Sequence, residues 1–426
     1  MKGNKKFFIS GGSIYDPLTK EKSKKNIVVD NGTILDITSK DTIPSGYEVV
    51  DSENMIVTTG FIDIRSHFKD PGDSYEETLF SGSRSAISGG YTKVCIVPDT
   101  CPIIDNAEIV EYINNINNDL PIDMYVIGAA TKRMEGKEIS EIGLMCDSGI
   151  VGVSDYEKPI ENSQLFRMIM EYSKKFNIPV INHPEDLLLS NLGIINEGKV
   201  STFNGLTGIP DIAESSMLFR DISIAEYVSG RIHVPHISSE KSVKLIREAK
   251  NKGISVTCEV TPHHLYFSEN NFSNYNSNWK VLPPIRLESD RIALIEGLID
   301  GSIDCIASDH SPHKNEEKEK DIFHAEFGSI GLESSFGAIN KSMKEHGVDI
   351  YRIIEWLTIG PSRVMNIPIE PIAPKSKANL VVLDENKEWT YNLDSNRSKS
   401  NNSIFINQKL IGKVAYVLSC SELFSN

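Results

Sequence analysis

Short apolar runs rich in β-branched residues recur through the middle of the chain and alternate with segments of helical periodicity. In two such segments, Ser163 to Phe176 and Glu240 to Lys252, apolar residues recur at spacings of three and four, and Gly253 is a helix stop signal. The apolar runs are residues 57–63, 91–98, 124–130, 149–155, 178–183, 231–236, 254–260 and 303–309. Eight strand–helix units predict a (β/α)8 barrel, although the runs alone also fit an open doubly wound sheet.

Polar side chains at or just after the ends of these runs distinguish between the barrel and the open sheet. They are His67, Asp99, Asp155, His183, His236, His263, His264 and Asp309. Catalytic groups in a barrel come from the C-terminal ends of several strands, whereas an open sheet gathers its site at one crevice. The distribution therefore favours an α/β fold of the (β/α)8 barrel type.

The two ends of the chain have a different pattern of apolar runs and turn residues. Short β-type runs separated by Gly, Asp and Pro turns fill residues 6–57, where they predict a small antiparallel sheet, and similar runs return after Asn379 and Gly412. We expect residues 1–57 and 363–426 to form one small β-sandwich-like domain and residues 58–362 to form the barrel.

Composition and charge narrow the function classes. A chain of 426 residues with 39% hydrophobic and 24% charged residues can bury a large core. The formal net charge of −15 argues against a nucleic-acid partner, because phosphate contacts need clustered Lys and Arg. The six cysteines contain no Cys-x-x-Cys pair, which favours reduced thiols and a cytoplasmic location. There is no signal-peptide apolar region and no apolar run of 18 residues, so we expect no membrane partner.

The segment Gly60 to Gly72 is the most informative stretch, because an apolar run ends there in closely spaced charged residues. Asp63, Arg65 and His67 alternate with other residues, so in a strand they point to the same face. A metal site at this place normally uses a second imidazole where Arg65 stands. Arg65 is therefore the residue that most affects the functional interpretation.

Imidazoles and carboxylates converge on the expected barrel mouth. A single strand-end histidine is more often structural, but His67, His183 and His236 each follow a different run, with Asp155 and Asp309 in equivalent places. Neutral nitrogen and anionic oxygen donors together suit a zinc-type divalent ion. Such an ion lowers the pKa of bound water, and a nearby carboxylate then moves the proton.

Three neighbouring features bear on the site, and two of them keep two interpretations. The Thr261–His264 segment either orients ligands or packs beneath a loop. In Asp309-His-Ser-Pro-His313, the aspartate suits a metal ligand and proton shuttle and His313 suits a substrate contact. The loop from Lys314 to Phe323, rich in Lys and Glu, is either a lid or a solvated connection.

These motifs resemble the amidohydrolase superfamily and most closely its dihydroorotases of the bacterial, non-carboxylysine type. The resemblance covers nearly the whole chain, and its most specific segments are Thr-Pro-His-His and Asp-His-Ser-Pro-His. The motifs that carry it are Gly60–Asp63, His67–Gly72, Gly89–Thr92, Val97–Thr100, Ser154–Asp155, His183–Asp186, His236–Ser239, Glu259–Leu265, Lys280–Pro284, Ile303–His313 and Phe327–Gly328.

The resemblance implies a metal-dependent cyclic amidohydrolase of pyrimidine biosynthesis. The implied reaction interconverts N-carbamoyl-L-aspartate and dihydroorotate by metal-bound hydroxide, while Asp309 takes and returns the proton. One or two Zn²⁺ ions are implied, with His67 and Asp309 at one position, His183 and His236 at a second, and Asp155 between them. The implied substrate-binding residues are Lys69, Asp99, His313, Phe327 and Gly328. The implied partners are a small cyclic amide, a second copy of the chain in a homodimer, and aspartate transcarbamoylase.

Departures from the dihydroorotase pattern concentrate at the site. Arg65 replaces the first histidine of Asp-x-His-x-His, Lys69 replaces arginine, and Asp99 and Leu282 each replace asparagine. We expect the Arg65 guanidinium to occupy the place of a missing metal ion and to offset Asp99 or Asp309.

Three functional readings follow from these departures. The chain is an active enzyme with a reduced metal site, a catalytically silent homologue that scaffolds aspartate transcarbamoylase, or a hydrolase of another cyclic amide, as hydantoinases and allantoinases are. Retention of five of the six expected ligands favours the enzyme.

Overall fold

The two chain ends meet in a pair of small sheets. The structure, a computed structural model, describes residues 5–426, so residues 1–4 of the predicted small domain and of the N-terminal segment examined for a signal peptide lie outside the described residues. One sheet has the order β5-β4-β1-β6 and the other the order β20-β19-β18-β7-β2-β3. Their ranges are β1 Lys6–Ser10, β2 Ser13–Asp16, β3 Glu21–Lys24, β4 Asn26–Asp30, β5 Thr33–Thr38, β6 Glu48–Asp51, β7 Ile56–Thr59, β18 Leu380–Thr390, β19 Lys409–Ser419 and β20 Glu422–Ser425. The β-sandwich-like assembly from both ends is therefore present.

The expectation of a purely antiparallel N-terminal sheet is wrong in two pairs. Strand β1 pairs with β6 in parallel, and β2 pairs with β7 in parallel. The chain between the partners is long enough for the crossover that parallel pairing needs, and short hairpins supply the antiparallel pairs.

Eight parallel strands form the barrel, in the order β8-β9-β10-β11-β12-β15-β16-β17. The barrel closes between its first and last strands, where Ser66 and His310 form a parallel bridge and the His67 amide donates to the His310 carbonyl at 2.9 Å. The barrel prediction is confirmed. The strands are β8 Phe61–Ser66, β9 Tyr91–Ile96, β10 Asp123–Gly128, β11 Gly152–Ser154, β12 Val180–Ile181, β15 Ile232–Val234, β16 Val256–Val260 and β17 Cys305–Ile306; a separate parallel pair is β13 Ile195–Asn196 and β14 Gly208–Ile209.

The first apolar run spans two strands rather than one. Val57 belongs to β7 of the small sheet, and the barrel begins at Phe61. Both strands are buried on both faces, so their composition does not show the boundary at Gly60. A Cβ atom at Gly60 would lie 2.2 Å from the Thr92 side chain, which explains why glycine occupies this junction.

Helices cover the outside of the barrel strands. The predicted helix over 163–176 is confirmed as an α-helix followed by a 3-10 turn at 174–176, and Gly253 has a φ of 77° beyond the helix that starts at Glu240. No helix among residues 5–426 is long and apolar enough to cross a bilayer. The helices are α1 Leu79–Ser88, α2 Ala107–Asn117, α3 Ile142–Asp147, α4 Ser163–Ser173, α5 Leu187–Ser190, α6 Lys199–Asn204, α7 Asp211–Val228, α8 Glu240–Asn251, α9 Pro262–Tyr266, α10 Glu288–Asp300, α11 Asn315–Lys318, α12 Leu332–Glu345, α13 Ile350–Leu357 and α14 Ile359–Met365.

Candidate active site

Four residues just beyond the barrel strands have positive φ angles. These are Lys69 at 50°, Tyr156 at 65°, His236 at 34° and Asp309 at 51°. Residues other than glycine rarely have positive φ angles, and such backbone conformations cluster at functional sites. The carboxyl end of the barrel is therefore the candidate site on backbone geometry as well as on residue type.

Arg65 and Asp309 form a buried ion pair across the barrel closure. Arg65 Nε lies 3.1 Å from Asp309 Oδ1, and the Arg65 side chain is 2% exposed. The guanidinium also lies 5.8 Å from the centroid of the Tyr156 ring. Burial raises the pKa of Asp309, but contact with His67 and the charge on Arg65 lower it by more, so Asp309 is ionised at neutral pH. Arg65 thus offsets Asp309, whereas Asp99 has a different partner.

His67 is held by Asp99 and keeps one nitrogen without a partner. Its Nδ1 lies 3.1 Å from Asp99 Oδ2, while Nε2 lies 3.7 Å from Asp309 Oδ1 and has no hydrogen-bond partner in the described chain. Burial lowers the pKa of His67, but Asp99 and Asp309 raise it by more. Asp99 therefore orients the imidazole and fixes which nitrogen faces the site.

His183 repeats this arrangement next to His236. His183 Nε2 lies 3.1 Å from Glu185 Oε2, and its Nδ1 has no partner among residues 5–426. Neither ring nitrogen of His236 has a described partner, and the two ring centroids are 4.9 Å apart. Burial, Arg65 and His183 hold the pKa of His236 well below its usual value, so His236 is neutral and has a lone pair to donate.

Asp155 directs both carboxylate oxygens to Thr131. The Thr131 amide donates to Oδ1 at 2.8 Å and the Thr131 hydroxyl donates to Oδ2 at 2.5 Å. Burial raises the pKa of Asp155 against these two donors. Its role as a ligand between two ions stays a prediction.

The histidines fit a divalent metal ion. A metal-ligating histidine almost always directs its other ring nitrogen to a carboxylate or carbonyl. Both His67 and His183 do so, and each keeps one ring nitrogen that no described residue contacts by a hydrogen bond. The barrel-mouth donors do not form a group of three ligand atoms within 4.8 Å of one another, however, in the described part of the chain. Within residues 5–426, the one group with three ligand atoms all within 4.8 Å of one another is Glu76, His313 and Glu317.

The predicted substrate-binding residues are occupied by contacts within the chain. Lys69 Nζ donates to Glu76, and His313 Nε2 donates to the Phe327 carbonyl at 2.6 Å. Gly328 has a φ of 128°, and a Cβ atom there would lie 2.5 Å from the Ser311 hydroxyl. His313, Phe327 and Gly328 are thus brought together, and Lys69 is a cation that a substrate carboxylate would have to draw from Glu76.

His264 contacts a loop through one of its two ring nitrogens and Thr261 through the other. Its Nδ1 lies 2.8 Å from the Thr261 hydroxyl, and its Nε2 donates to the Pro283 carbonyl at 3.1 Å. Burial lowers the pKa of His264 to about 4, so both contacts are made by the neutral ring. Of the two readings of this segment, the contacts of His264 favour loop packing.

Sequence reasoning assigned no role to Glu185, Tyr156 and Glu157. The His67 and Tyr156 ring centroids are 4.3 Å apart, and the Tyr156 hydroxyl donates to Glu157 Oε1 at 2.8 Å. Burial raises the pKa of Glu157, while His67 lowers it. The available signal was position, because Glu185 and Glu157 each stand two residues after a predicted ligand.

Comparison with known proteins shows the family to which the sequence belongs. The sequence pattern of the amidohydrolase family matches residues 56–419. A dihydroorotase from Acetivibrio thermocellus is 39% identical over 412 residues, which cover 96% of this chain and 96% of that protein. A dihydroorotase from Trichlorobacter lovleyi is 38% identical over 408 residues, again 96% of each chain.

Solved structures agree on the fold. An L-hydantoinase (dihydropyrimidinase) from Arthrobacter aurescens superposes with a TM-score of 0.87 at 21% identity, over 99% of this chain and 96% of that one. A D-hydantoinase (dihydropyrimidinase) from Thermus sp. gives a TM-score of 0.82 at 20% identity, over 98% and 94% of the two chains. At these identities the likeness supports the barrel with its added β domain.

Proposed function

The chain belongs to the amidohydrolase family as a metal-dependent, dihydroorotase-like cyclic amidohydrolase, and from this premise we propose that it interconverts N-carbamoyl-L-aspartate and dihydroorotate. The observation that carries this proposal is the pair of carboxylate-oriented histidines, His67 beside Asp309 and His183 beside His236, each with a ring nitrogen that has no partner among residues 5–426. A chain that had lost catalysis would have no use for this arrangement.

We propose that Arg65 leaves room for one ion at the barrel mouth. Its guanidinium supplies the positive charge beside Asp309 that an ion would otherwise supply. His183 and His236 then hold the remaining ion, with His67 and Asp155 as nearby donors, and Zn²⁺ suits this nitrogen and oxygen set. When bound, the ion polarises a carbonyl and lowers the pKa of water.

The chain's own residues bind the substrate and move the proton. Asp309 is the proton-transfer group, and its contacts with His67 and Arg65 keep it in the ionised form that accepts a proton. Lys69 is the cation for the substrate carboxylate, once Glu76 releases it. His313 acts through the Phe327–Gly328 segment, which it holds by a hydrogen bond at 2.6 Å.

Assembly and location are further parts of the proposal. The side chains of Leu188, Leu192 and Phe203 are 88%, 94% and 90% exposed, which supports an interface with a second copy or with aspartate transcarbamoylase. Cys95, Cys101, Cys146, Cys258 and Cys305 are free thiols, which supports a cytoplasmic location. Light scattering of the purified chain, alone and with aspartate transcarbamoylase, tests the two associations.

Metal analysis together with a cyclisation assay tests the function. The wild-type chain should bind metal and form dihydroorotate, and Arg65→His should raise the metal content per chain because it restores an imidazole. Unchanged metal content in Arg65→His would sink the role given to Arg65. Bound metal without turnover would favour another cyclic amide as substrate, and neither metal nor turnover would favour a scaffold for aspartate transcarbamoylase.

A further inference from the structure

A second group of metal-type donors lies apart from the barrel-mouth histidines. One ligand atom from each of Glu76, His313 and Glu317 lies within 4.8 Å of the other two. Glu76 and His313 are buried, at 3% and 7% exposure, and Glu317 is half-buried in helix α11. None of the three belongs to the ligand set expected from the family resemblance.

The hydrogen bonds of His313 fix the position of its lone pair. Its Nε2 lies 2.6 Å from the Phe327 carbonyl oxygen, which can only accept, so the ring hydrogen is on Nε2. Burial, Lys69 and Lys318 lower the pKa of His313 to about 3, so the ring is neutral at physiological pH. Nδ1 therefore presents a lone pair, and it faces Glu317 Oε2 at 3.3 Å.

Two acceptors, His313 Nδ1 and Glu317 Oε2, thus meet without a donor between them in the described part of the chain. A lone pair and a carboxylate oxygen repel each other at hydrogen-bond distance unless a proton or a cation lies between them. The neighbouring lysines do not supply this donor, since Lys69 donates to Glu76 and Lys314 Nζ lies 2.6 Å from Asp73 and 4.0 Å from Glu76. Within residues 5–426, neither lysine donates to His313 or Glu317.

The local charge also leaves place for a cation. Glu76, Glu317 and Asp73 contribute three carboxylates, against the amino groups of Lys69, Lys314 and Lys318, and burial lowers the pKa of Lys318 to about 7. Burial raises the pKa of Glu76 to about 7 despite the attraction of Lys69, and the neighbouring carboxylate of Glu317 adds a smaller contribution in the same direction. A proton shared between the two carboxyl groups is the competing occupant.

We propose that Glu76, His313 and Glu317 bind a divalent transition-metal ion of the zinc or manganese class, separate from the ion at the barrel mouth. One imidazole nitrogen and two carboxylates are suitable donors for such ions. The bond from His313 Nε2 to the Phe327 carbonyl is the outer contact that orients metal-ligating histidines. An ion there shares Glu76 with Lys69, which frees the lysine for a substrate carboxylate.

Zinc-buffered dialysis followed by metal analysis tests this site on the full chain. Glu317→Gln removes a carboxylate ligand, yet the amide can donate to His313 Nδ1, so the local structure is retained. We expect this variant to hold one zinc ion fewer per chain than the wild type at the same free Zn²⁺. Glu316→Gln is the matched control, because Glu316 is an exposed residue of the same helix α11, and its zinc content should equal that of the wild type.

A second comparison separates the two sites. His236→Ala removes a barrel-mouth ligand, so Glu317→Gln in that background should still lose one further zinc ion per chain. Equal zinc content in the wild type and Glu317→Gln, with both chains folded by circular dichroism, would overturn the proposal and leave the shared proton as the occupant. If Glu317→Gln does not fold, Glu76→Gln is measured in its place with the same two outcomes.

Discussion

Replacing Arg65 by Met should destabilise the chain, because it leaves Asp309 buried without its counter-ion. The pair is made at 3.1 Å with side-chain exposures of 2% and 12%, and methionine replaces the apolar stem of arginine without its charged guanidinium. Removing one partner of a buried ion pair costs about 3–5 kcal/mol. Since Asp309 is 12% exposed and water can solvate part of its charge, we expect the lower part of that range.

A double-mutant cycle in urea, followed by fluorescence and circular dichroism, measures this pair. Arg65→Met, Asp309→Asn and the double variant should give a coupling free energy of at least about 1.5 kcal/mol. The pKa of Asp309 is lowered in the folded chain, so its contribution is present above about pH 4 and is lost as the pH falls further. The penalty of Arg65→Met should therefore shrink in acid. A coupling below about 0.5 kcal/mol at neutral pH would refute the reasoning, because exposed pairs already reach that value.

Three further predictions concern the seam of the barrel, its packing and the substrate cation. Burial raises the pKa of Asp63 to about 7 against hydrogen bonds from Ser308, so the folded chain binds this proton more tightly than the unfolded chain. The unfolding free energy of the wild-type chain should therefore fall by up to about 3 kcal/mol between pH 4 and 7, and Asp63→Asn should remove this fall. The same pH dependence of urea unfolding in the wild type and Asp63→Asn would contradict this prediction. A Cβ atom at Gly89 would lie 2.2 Å from the Leu332 carbonyl oxygen, so Gly89→Ala should cost about 1–3 kcal/mol in urea unfolding, and a wild-type midpoint would be evidence against this contact. Lys69→Met should raise KM for N-carbamoyl-L-aspartate by about 10- to 100-fold while Lys69→Arg retains binding, and an unchanged KM would exclude the lysine from the substrate site.

The fold is predictable from the sequence because parallel barrel strands are buried on both faces. Such strands appear as continuous β-branched runs, and each run is followed by a polar residue where the strand opens to the site. The same burial hid the boundary at Gly60, since β7 and β8 are both apolar although they belong to different sheets. The parallel pairing of β1 with β6 also left no mark on composition, because pairing partners are chosen by tertiary packing.

The sequence predicts which residue types form the site but not which residues they contact. Arg65 was singled out from its spacing to His67, yet its pairing with Asp309 joins residues 244 positions apart. Asp99 was expected beside the substrate, and its hydrogen bond to His67 depends on how β8 and β9 are aligned. The Glu76, His313 and Glu317 group was not found at all, because no spacing rule connects a loop after β8 to a helix after β17.

The most direct test of the central claim is formation of dihydroorotate from N-carbamoyl-L-aspartate by the metal-loaded chain. The proposed function predicts turnover that disappears on chelation, returns when Zn²⁺ is restored, and is absent in His236→Ala. A folded, metal-loaded wild-type chain that forms no dihydroorotate would contradict the claim.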